Sequence, residues 1–305
     1  MAEVGSSGKF QGKSFMQDEN QPKKLKAGLH IVATPIGNLG DISKRALETL
    51  KAVDVIACED TRVTSKLLQA YLIKKPTMPY HEHNGESQRP KIERLIEEGK
   101  AVALVSDAGT PLISDPGFKL VEYLAEQGHF VTSLPGPSAA IAALTLAGLP
   151  TDRFLFLGFS PSKSGARQNW FEAEKNERGS LIYYESARRL AAGLADALKM
   201  LGNRRAAVCR EISKKFEEVV RGDLETLVAR YGESGAPKGE IVVVIEGNSA
   251  EAGEKTKLDA DQLLAKSLEY MSVKSAAAFV SEISGIRKKD IYNKALEISK
   301  TQEPT

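Results

Sequence analysis

The chain has 305 residues, 42% of them hydrophobic and 27% charged, which is typical of a soluble globular protein long enough for two domains. Its 42 lysines and arginines against 40 aspartates and glutamates leave a net charge of only +2, so no overall basic field indicates a nucleic-acid partner. No apolar run reaches the roughly 20 residues of a membrane span, and the polar amino terminus does not resemble a signal peptide, so we expect a cytoplasmic protein with no membrane partner.

Residues 1–27 are polar and glycine-containing, and we expect a flexible N-terminal arm. Apolar runs then alternate with helix-like stretches, which predicts an α/β domain over 28–149 with a mostly parallel sheet covered on both faces. The predicted strands are Leu29–Thr34, Val53–Cys58, Thr77–His81, Val102–Val105 and Phe130–Ser133. The predicted helices are Asp41–Leu50, Thr61–Tyr71, Gln88–Glu98, Asp115–Gln127 and Ser138–Ala147, the last of them closing this domain.

A second α/β domain is predicted over 150–248, with an antiparallel component because two of its strands flank a hairpin-like turn. Its predicted strands are Phe154–Phe159, Leu181–Tyr184, Ala206–Cys209, Glu218–Arg221 and Glu240–Ile245. Three short helices then form a helical appendage over 257–300, with apolar residues at core spacing. Those residues are Ala276, Ala277, Ala278, Val280, Ile283 and Ile291.

Several familiar catalytic patterns are absent from the sequence. Neither GxGxxG after the first strand nor GxxxxGK[ST] occurs, which excludes the usual dinucleotide and P-loop sites, and HExxH and GxSxG are also missing. The pair His81 and His83 lies on one short strand and would need distant ligands to hold an ion, so we expect no metal. Cys58 and Cys209 form no CxxC pair, and their apolar surroundings fit a reduced compartment.

Four loops rich in turn-forming or acidic residues each follow a predicted strand. They are Pro35–Asn38, Cys58–Arg62, Asp107–Pro111 and Pro135–Ser138. Because the carboxyl ends of parallel strands share one edge, these loops are expected to converge on a small ligand. In the third loop, Gly109 allows close backbone approach and Asp107 can accept hydrogen bonds, while the helix start at Ser138 offers free N–H groups to a carboxylate.

A set of motifs together resembles the tetrapyrrole methylase superfamily, and within it the branch that methylates small-subunit ribosomal RNA. The motifs are TPIGNLGDIS (34–43), EDTR (59–62), LVSDAGTPLISDPG (104–117), LPGPSAAIAAL (134–144), GF-P-K (158–163), YYES (183–186) and KGE (238–240). The resemblance runs from about Leu29 to Gly247, and SVKSAAAFVSEISG resembles the usual C-terminal appendage of that branch.

The resemblance implies a two-domain fold that is not Rossmann-like, with S-adenosylmethionine in the cleft between the domains, and a homodimer. It also implies 2′-O-methylation of a cytidine in the decoding centre of 16S ribosomal RNA in the small ribosomal subunit. We expect the cofactor to contact Pro35, Gly37, Asp107, Ala108, Gly109, Thr110, Ile113, Pro135, Ser138, Ala139 and Glu185. Thr110 stands where tetrapyrrole methylases carry an aspartate, which argues against a porphyrinoid substrate.

Methyl transfer to a ribose hydroxyl requires a base, and a cationic donor favours a cleft of carboxylates and carbonyls. The eligible groups are Glu59, Asp60, Asp107, His83 and Glu185. We favour Glu59 or Asp107 because their loops border the expected cofactor edge, whereas Asp60 and Asp41 are better explained as helix caps. Candidate contacts to the RNA substrate are Arg62, His83, Lys163 and Arg167, with Arg188 and Arg189 as weaker candidates.

Two alternatives remain open from the sequence. One is a corrin or uroporphyrinogen methyltransferase, which an assay on a porphyrinoid would distinguish. The other is an RNA-binding assembly factor that retains the fold without catalysis, which would have no need for cofactor affinity. The helical appendage could bind RNA, bind the dimer partner or cover apolar surface.

Overall fold

The computed structural model describes residues 24–234, 236–248 and 260–301, and the chain divides into two units, Met1–Asn248 and Ser249–Thr305. Residues 1–23, most of the predicted N-terminal arm, lie outside the described residues. No described helix combines the length and the apolar character needed to cross a bilayer.

A sheet of five parallel strands forms the first half of the larger unit, in the order β3-β2-β4-β1-β5. The strands are β1 Gly28–Val32, β2 Val55–Cys58, β3 Thr77–Pro79, β4 Ala101–Val105 and β5 Val131–Leu134. The two central strands β1 and β4 are buried along their whole length, as expected of strands with helices on both faces. All five predicted strands are confirmed, with shifts of a few residues at their ends.

Four helices cover this sheet: α1 Lys44–Ala52, α2 Thr61–Ala70, α3 Gly85–Glu97 and α4 Phe118–Glu126. Asp60 caps α2 as predicted, since its carboxylate accepts a hydrogen bond of 2.8 Å from the backbone N–H of Arg62. The cap predicted at Asp41 is wrong: Asp41 lies in a short 3-10 helix, and Ser43 caps α1 by accepting from Ala46. Likewise α4 begins at Phe118 because Gly117, at φ +140°, is not helical.

The second sheet also has five strands, in the order β6-β7-β10-β8-β9. The strands are β6 Phe154–Phe159, β7 Ser180–Ser186, β8 Arg205–Arg210, β9 Glu218–Asp223 and β10 Glu240–Ile245. Only β6 and β7 pair in parallel, and the remaining pairs are antiparallel, so the predicted mixed sheet is confirmed. Three helices cover one face of it: α6 Ser164–Ala173, α7 Leu190–Leu201 and α8 Leu224–Ser234.

The helix α5, Ala139–Ala147, packs on the opposite face of the second sheet. Ala143 and Leu144 lie in one apolar cluster with Val242 and Val244 of β10. This explains the composition of α5, because small apolar residues all round a helix let it lie close to a sheet. The helix follows β5 directly and thereby joins the loop edge of the first sheet to the second sheet. The domain boundary at 149 stays a prediction.

The smaller unit contains three helices among its described residues, α9 Ala260–Leu268, α10 Val273–Ser284 and α11 Lys288–Thr301. Their shared core includes Ala276, Val280 and Ile291, as the spacing predicted. Ile283 does not belong to this core, since 41% of its surface is exposed. Ser272 caps α10, and Gly285, at φ +70°, ends it in the left-handed conformation.

Candidate functional site

The loops that follow β1, β2, β4 and β5 meet at one edge of the first sheet. Thr34 and Gly109 exchange two backbone hydrogen bonds of 2.8 and 3.1 Å, which join the loops after β1 and β4. The hydroxyl of Thr110 donates to the carbonyl of Pro137 at 2.9 Å, and the amide of Asp60 donates to Asp107 at 3.2 Å. The predicted convergence of four loops is therefore present in the structure.

A cavity of about 380 Å³ lies between these loops and the second sheet. The first-sheet side contributes Ile36, Glu59, Asp107, Ala108, Gly109, Thr110, Ile113, Ser114, Asp115, Ser138 and Ala139. The second-sheet side contributes Phe159, Tyr184, Glu185, Ile212, Glu240, Ile241 and Val242. This volume falls in the range of small-molecule pockets, and the site is shared between the two sheets.

The charges that line the cavity are all negative. Among its described lining residues are five carboxylates and no lysine, arginine or histidine: Glu59, Asp107, Asp115, Glu185 and Glu240. Desolvation, reinforced by the Asp107 charge, raises the pKa of Glu59. Desolvation also raises the pKa of Asp107, although the hydrogen bond from the Asp60 amide opposes this shift. A site of this kind favours a positively charged ligand.

Asp115 is a further carboxylate of the cavity, and it is not among the site residues predicted from the sequence. Burial, with the nearby Glu59 charge, raises its pKa from 3.8 to about 6, against a hydrogen bond from Ser106. The loop before it is strongly bent, since Leu112 and Ser114 both have positive φ, +75° and +63°. Non-glycine residues adopt that conformation rarely, and such strain concentrates at functional sites. The only signal in the sequence was the repeated Ser-Asp turn, which predicted a helix start instead.

Glu185 is fully buried and held by three groups. Its carboxylate accepts from the Ser160 hydroxyl and from the Ser186 amide at 2.6 Å, and it pairs with Arg189 at 3.1 Å. Gly193 makes room for it, because a Cβ at that position would lie 2.8 Å from Oε2 of Glu185. Glu185 is therefore rigidly placed and charge-compensated, which suits binding better than proton transfer.

The residues around the cavity fit S-adenosylmethionine. Its sulfonium is cationic, and the uncompensated carboxylates Glu59, Asp107 and Asp115 face a site without cationic side chains. Ser138 and Ala139 line the cavity at the start of α5, where free backbone N–H groups can receive a carboxylate. Gly109 lines the cavity at φ +82°, a conformation that glycine adopts without strain, and a Cβ there would lie 3.3 Å from Cγ2 of Ile36.

Most of the predicted cofactor positions line this cavity. The structure places Asp107, Ala108, Gly109, Thr110, Ile113, Ser138, Ala139 and Glu185 there, together with Glu59. Three predicted positions, Pro35, Gly37 and Pro135, do not line it. Gly37 instead lies against Lys214 and Ile212, two residues of the turn that joins β8 to β9. A Cβ at position 37 would lie only 2.4 Å from Cγ of Lys214, so a side chain would not fit there. The lining residues of the second sheet other than Glu185 were not predicted, because the apolar pattern of their strands indicated core positions only.

The predicted RNA contacts differ in accessibility. Arg62 is 87% exposed and makes a forked ion pair with Asp60, and His83 is also exposed. Lys163 is exposed directly before α6. Arg167 is not placed to meet a phosphate, since only 2% of it is exposed.

Arg167 instead makes a buried ion pair on the covered side of the second sheet. Its guanidinium contacts Asp196 of α7, with an Nε to Oδ2 distance of 2.8 Å. The same guanidinium donates to the carbonyl of Pro161 at 3.1 Å. These contacts correct the predicted substrate role of Arg167 to a structural one.

One group of possible metal ligands occurs among the described residues, away from the cavity. Ligand atoms of Glu93, Glu97 and His129 lie within 4.8 Å of one another. Glu93 already accepts a hydrogen bond from Tyr123 and lies 3.4 Å from the His129 ring nitrogen. These existing contacts account for the cluster without an ion.

Two family models match the chain. The model described as Tetrapyrrole (Corrin/Porphyrin) Methylases matches residues 28–228, and the RsmI C-terminal HTH domain matches residues 254–299. Among solved structures, uroporphyrin-III-C-methyltransferase from Thermus thermophilus matches with a TM-score of 0.52 at 21% identity, over 72% of this chain and 94% of that one. Diphthine synthase gives the same TM-score at 17% identity, over 72% of this chain and 89% of its own. These two structural similarities show the fold alone.

Sequence relatives match over nearly their whole length. The chain is 46% identical to ribosomal RNA small subunit methyltransferase I of Mesorhizobium japonicum, over 93% of this chain and 97% of the relative. It is 43% identical to the protein of the same name from Escherichia coli O157:H7, over 92% and 99% respectively.

Proposed function

The chain belongs to the ribosomal RNA small subunit methyltransferase I family of the tetrapyrrole methylases, which use S-adenosylmethionine, and on this premise we propose that it methylates the 2′ oxygen of a cytidine in the decoding centre of 16S ribosomal RNA. The observation that carries the proposal is the acidic cavity that the loops of the first sheet share with the second sheet. We further propose that the protein acts as a cytoplasmic homodimer on the small ribosomal subunit.

When bound, S-adenosylmethionine supplies an electrophilic methyl group whose bond to sulfur breaks, leaving its electron pair on sulfur, as the bond to the ribose oxygen forms. The cavity residues contribute chiefly by holding donor and acceptor in line, which is the largest rate effect open to such a site. The start of α5 and the loop Ala108–Thr110 would hold the cofactor, together with Glu185, whose carboxylate is held by hydrogen bonds from Ser160 and Ser186.

A carboxylate of the cavity would accept the proton that leaves the ribose hydroxyl. Glu59 and Asp107 are the candidates from the sequence, and Asp115 joins them in the structure. Burial raises the pKa of each of the three carboxyl groups. A higher pKa makes a carboxylate a better proton acceptor while it remains mostly ionised near neutral pH. This shared environment supports a base within the cluster.

The proposal is tested by comparing acceptors with labelled S-adenosylmethionine. Small ribosomal subunits that lack the modification should accept the methyl group, and uroporphyrinogen should not. Thr110 supports this choice, because its hydroxyl donates to Pro137 where tetrapyrrole methylases carry an aspartate. Labelled uroporphyrinogen with unlabelled subunits would favour the tetrapyrrole alternative, and binding of RNA without binding of cofactor would favour the non-catalytic assembly factor.

A further inference from the structure

Phe159 lies at the mouth of the cavity and presents its aromatic side chain to solvent. Its side chain lines the cavity, yet 64% of the residue is exposed. Tyr184, the neighbouring aromatic residue of the lining, is partly buried, and its ring centroid lies 5.1 Å from those of both Phe156 and Phe159. An aromatic ring exposed at the mouth of a ligand cavity is placed to stack on a planar group of an incoming substrate.

A β-bulge in β6 sets the position of the Phe159 ring. Phe156 pairs with Ile182 of β7 and Phe159 pairs with Tyr184, so three residue steps on β6 oppose two on β7. Gly158 lies within the bulge at φ +74°, and a Cβ there would lie 3.3 Å from Oγ of Ser114. Bulges of this kind re-aim side chains next to active sites.

The residues around Phe159 give the ring a firm support and a nearby positive charge. The ring of Tyr184 meets it edge to face, at an interplanar angle of 64°. The next residue, Ser160, is fixed by its hydrogen bond to Glu185. Lys163, four positions after Phe159, is exposed, and its ammonium makes no ion pair within the described part of the chain.

We propose that the base of the target nucleotide stacks on Phe159 while its ribose enters the cavity, and that Lys163 binds a phosphate of the same RNA strand. This inference rests on the proposed function. The ring faces solvent at the mouth, so it meets the acceptor that arrives from outside. Single-stranded nucleotides are commonly recognised by stacking on an aromatic ring, with a nearby cation at the backbone.

The test compares Phe159→Ala, Phe159→Tyr and Phe159→Trp, with Phe154→Ala as the matched control. Phe154 begins the same strand, is 44% exposed and does not line the cavity. Loss of stacking should weaken RNA binding by roughly 5- to 150-fold in Phe159→Ala. The RNA affinities of Phe159→Tyr, Phe159→Trp and the control should stay near that of wild type. All four variants should bind S-adenosylhomocysteine as tightly as wild type does.

A second readout follows the base itself. An RNA fragment that carries the fluorescent analogue pyrrolocytidine at the target position should be quenched by wild type and by Phe159→Trp, but not by Phe159→Ala.

Three results would overturn the inference. Phe159→Ala with unchanged RNA affinity would show that the ring carries no base, and an equal loss of S-adenosylhomocysteine affinity would place the ring against the cofactor. A wild-type protein that methylates no RNA would overturn both the proposed function and this inference. If wild type is active and Phe159→Ala binds RNA equally well, only the inference is overturned.

Discussion

The hydroxyl of Thr110 donates a hydrogen bond of 2.9 Å to the carbonyl oxygen of Pro137, which ties the loop after β4 to the start of α5. Thr110 lines the cavity, and so does Ser138, the residue that follows Pro137. A carboxylate at position 110 could not donate to that carbonyl when ionised. The threonine therefore shapes the cleft in a way that an aspartate would not reproduce.

The first prediction concerns this bond. Thr110→Val should lower the free energy of unfolding by about 1 kcal/mol, because it removes one hydrogen bond, and Thr110→Ser should retain it. Thr110→Asp should bind S-adenosylhomocysteine more weakly than either, because its carboxylate faces a carbonyl oxygen. Urea unfolding and calorimetric titration measure the two quantities. Cofactor affinity in Thr110→Asp equal to wild type would contradict the role assigned to the bond.

The second prediction concerns the stability contributed by Asp115. The folded state raises its pKa to about 6 from 3.8, so the folded protein holds this proton more tightly than the unfolded chain. Asp115 therefore makes the fold less stable as the pH rises from about 4 to about 6. Asp115→Asn should raise the free energy of unfolding at pH 7.5 by about 2 kcal/mol and change it little at pH 4.

Urea unfolding at both pH values tests this prediction, with Asp152→Asn, at an exposed position, as the control. An Asp115→Asn protein with no gain at pH 7.5 would show that the carboxylate is not desolvated in the folded state.

The third prediction separates the candidate bases. Glu59→Gln, Asp107→Asn and Asp115→Asn should each be assayed for turnover and for cofactor affinity. The variant that removes the base should lose about 100-fold or more in turnover while it still binds S-adenosylhomocysteine. Asp107→Asn keeps an acceptor for the Asp60 amide, so its loop should stay in place. Full turnover in all three variants would exclude this carboxylate cluster as the base.

The fourth prediction uses two helical glycines. Gly193→Ala places a Cβ 2.8 Å from the hydrogen-bonded carboxylate of Glu185. In α6, the Cβ added by Gly165→Ala has no heavy atom of another residue within 4 Å. Gly165→Ala should stabilise the protein by about 0.5–1 kcal/mol with no effect on cofactor binding. Gly193→Ala should weaken cofactor binding, because Glu185 must move. Equal cofactor affinity in the two variants would show that the position of Glu185 is unimportant.

The fifth prediction distinguishes the structural role of Arg167 from the proposed RNA-binding role of Lys163. Arg167→Ala leaves Asp196 buried without its partner and should cost about 3–5 kcal/mol of stability. Lys163→Ala should leave the stability unchanged and weaken RNA binding. Urea unfolding and RNA titration measure both effects, and an Arg167→Ala protein of normal stability would contradict the structural role of the buried pair.

The alternation of strands and helices was predictable because buried parallel strands form nearly continuous apolar runs, as β4 does over Ala101–Val105. The sequence did not predict which sheet α5 packs against, because a helix that is apolar all round fits against either sheet. The local sequence also could not show that Arg167 meets Asp196, which lies 29 residues away on another helix.

The candidate site was predictable where loops follow strands, as at Asp107 and Gly109. Asp115 was missed because its position depends on the positive φ of Leu112 and Ser114, which non-glycine residues rarely adopt. Phe159 was missed as a site residue because the bulge that exposes it depends on its pairing with β7.

The most direct test of the proposed function is to map the methyl group that the protein transfers from labelled S-adenosylmethionine to small ribosomal subunits lacking the modification. We predict label on the ribose of one decoding-centre cytidine, and loss of that label when this nucleotide carries a 2′-deoxyribose. Label on a base, or on a different region of the RNA, would contradict the proposed function.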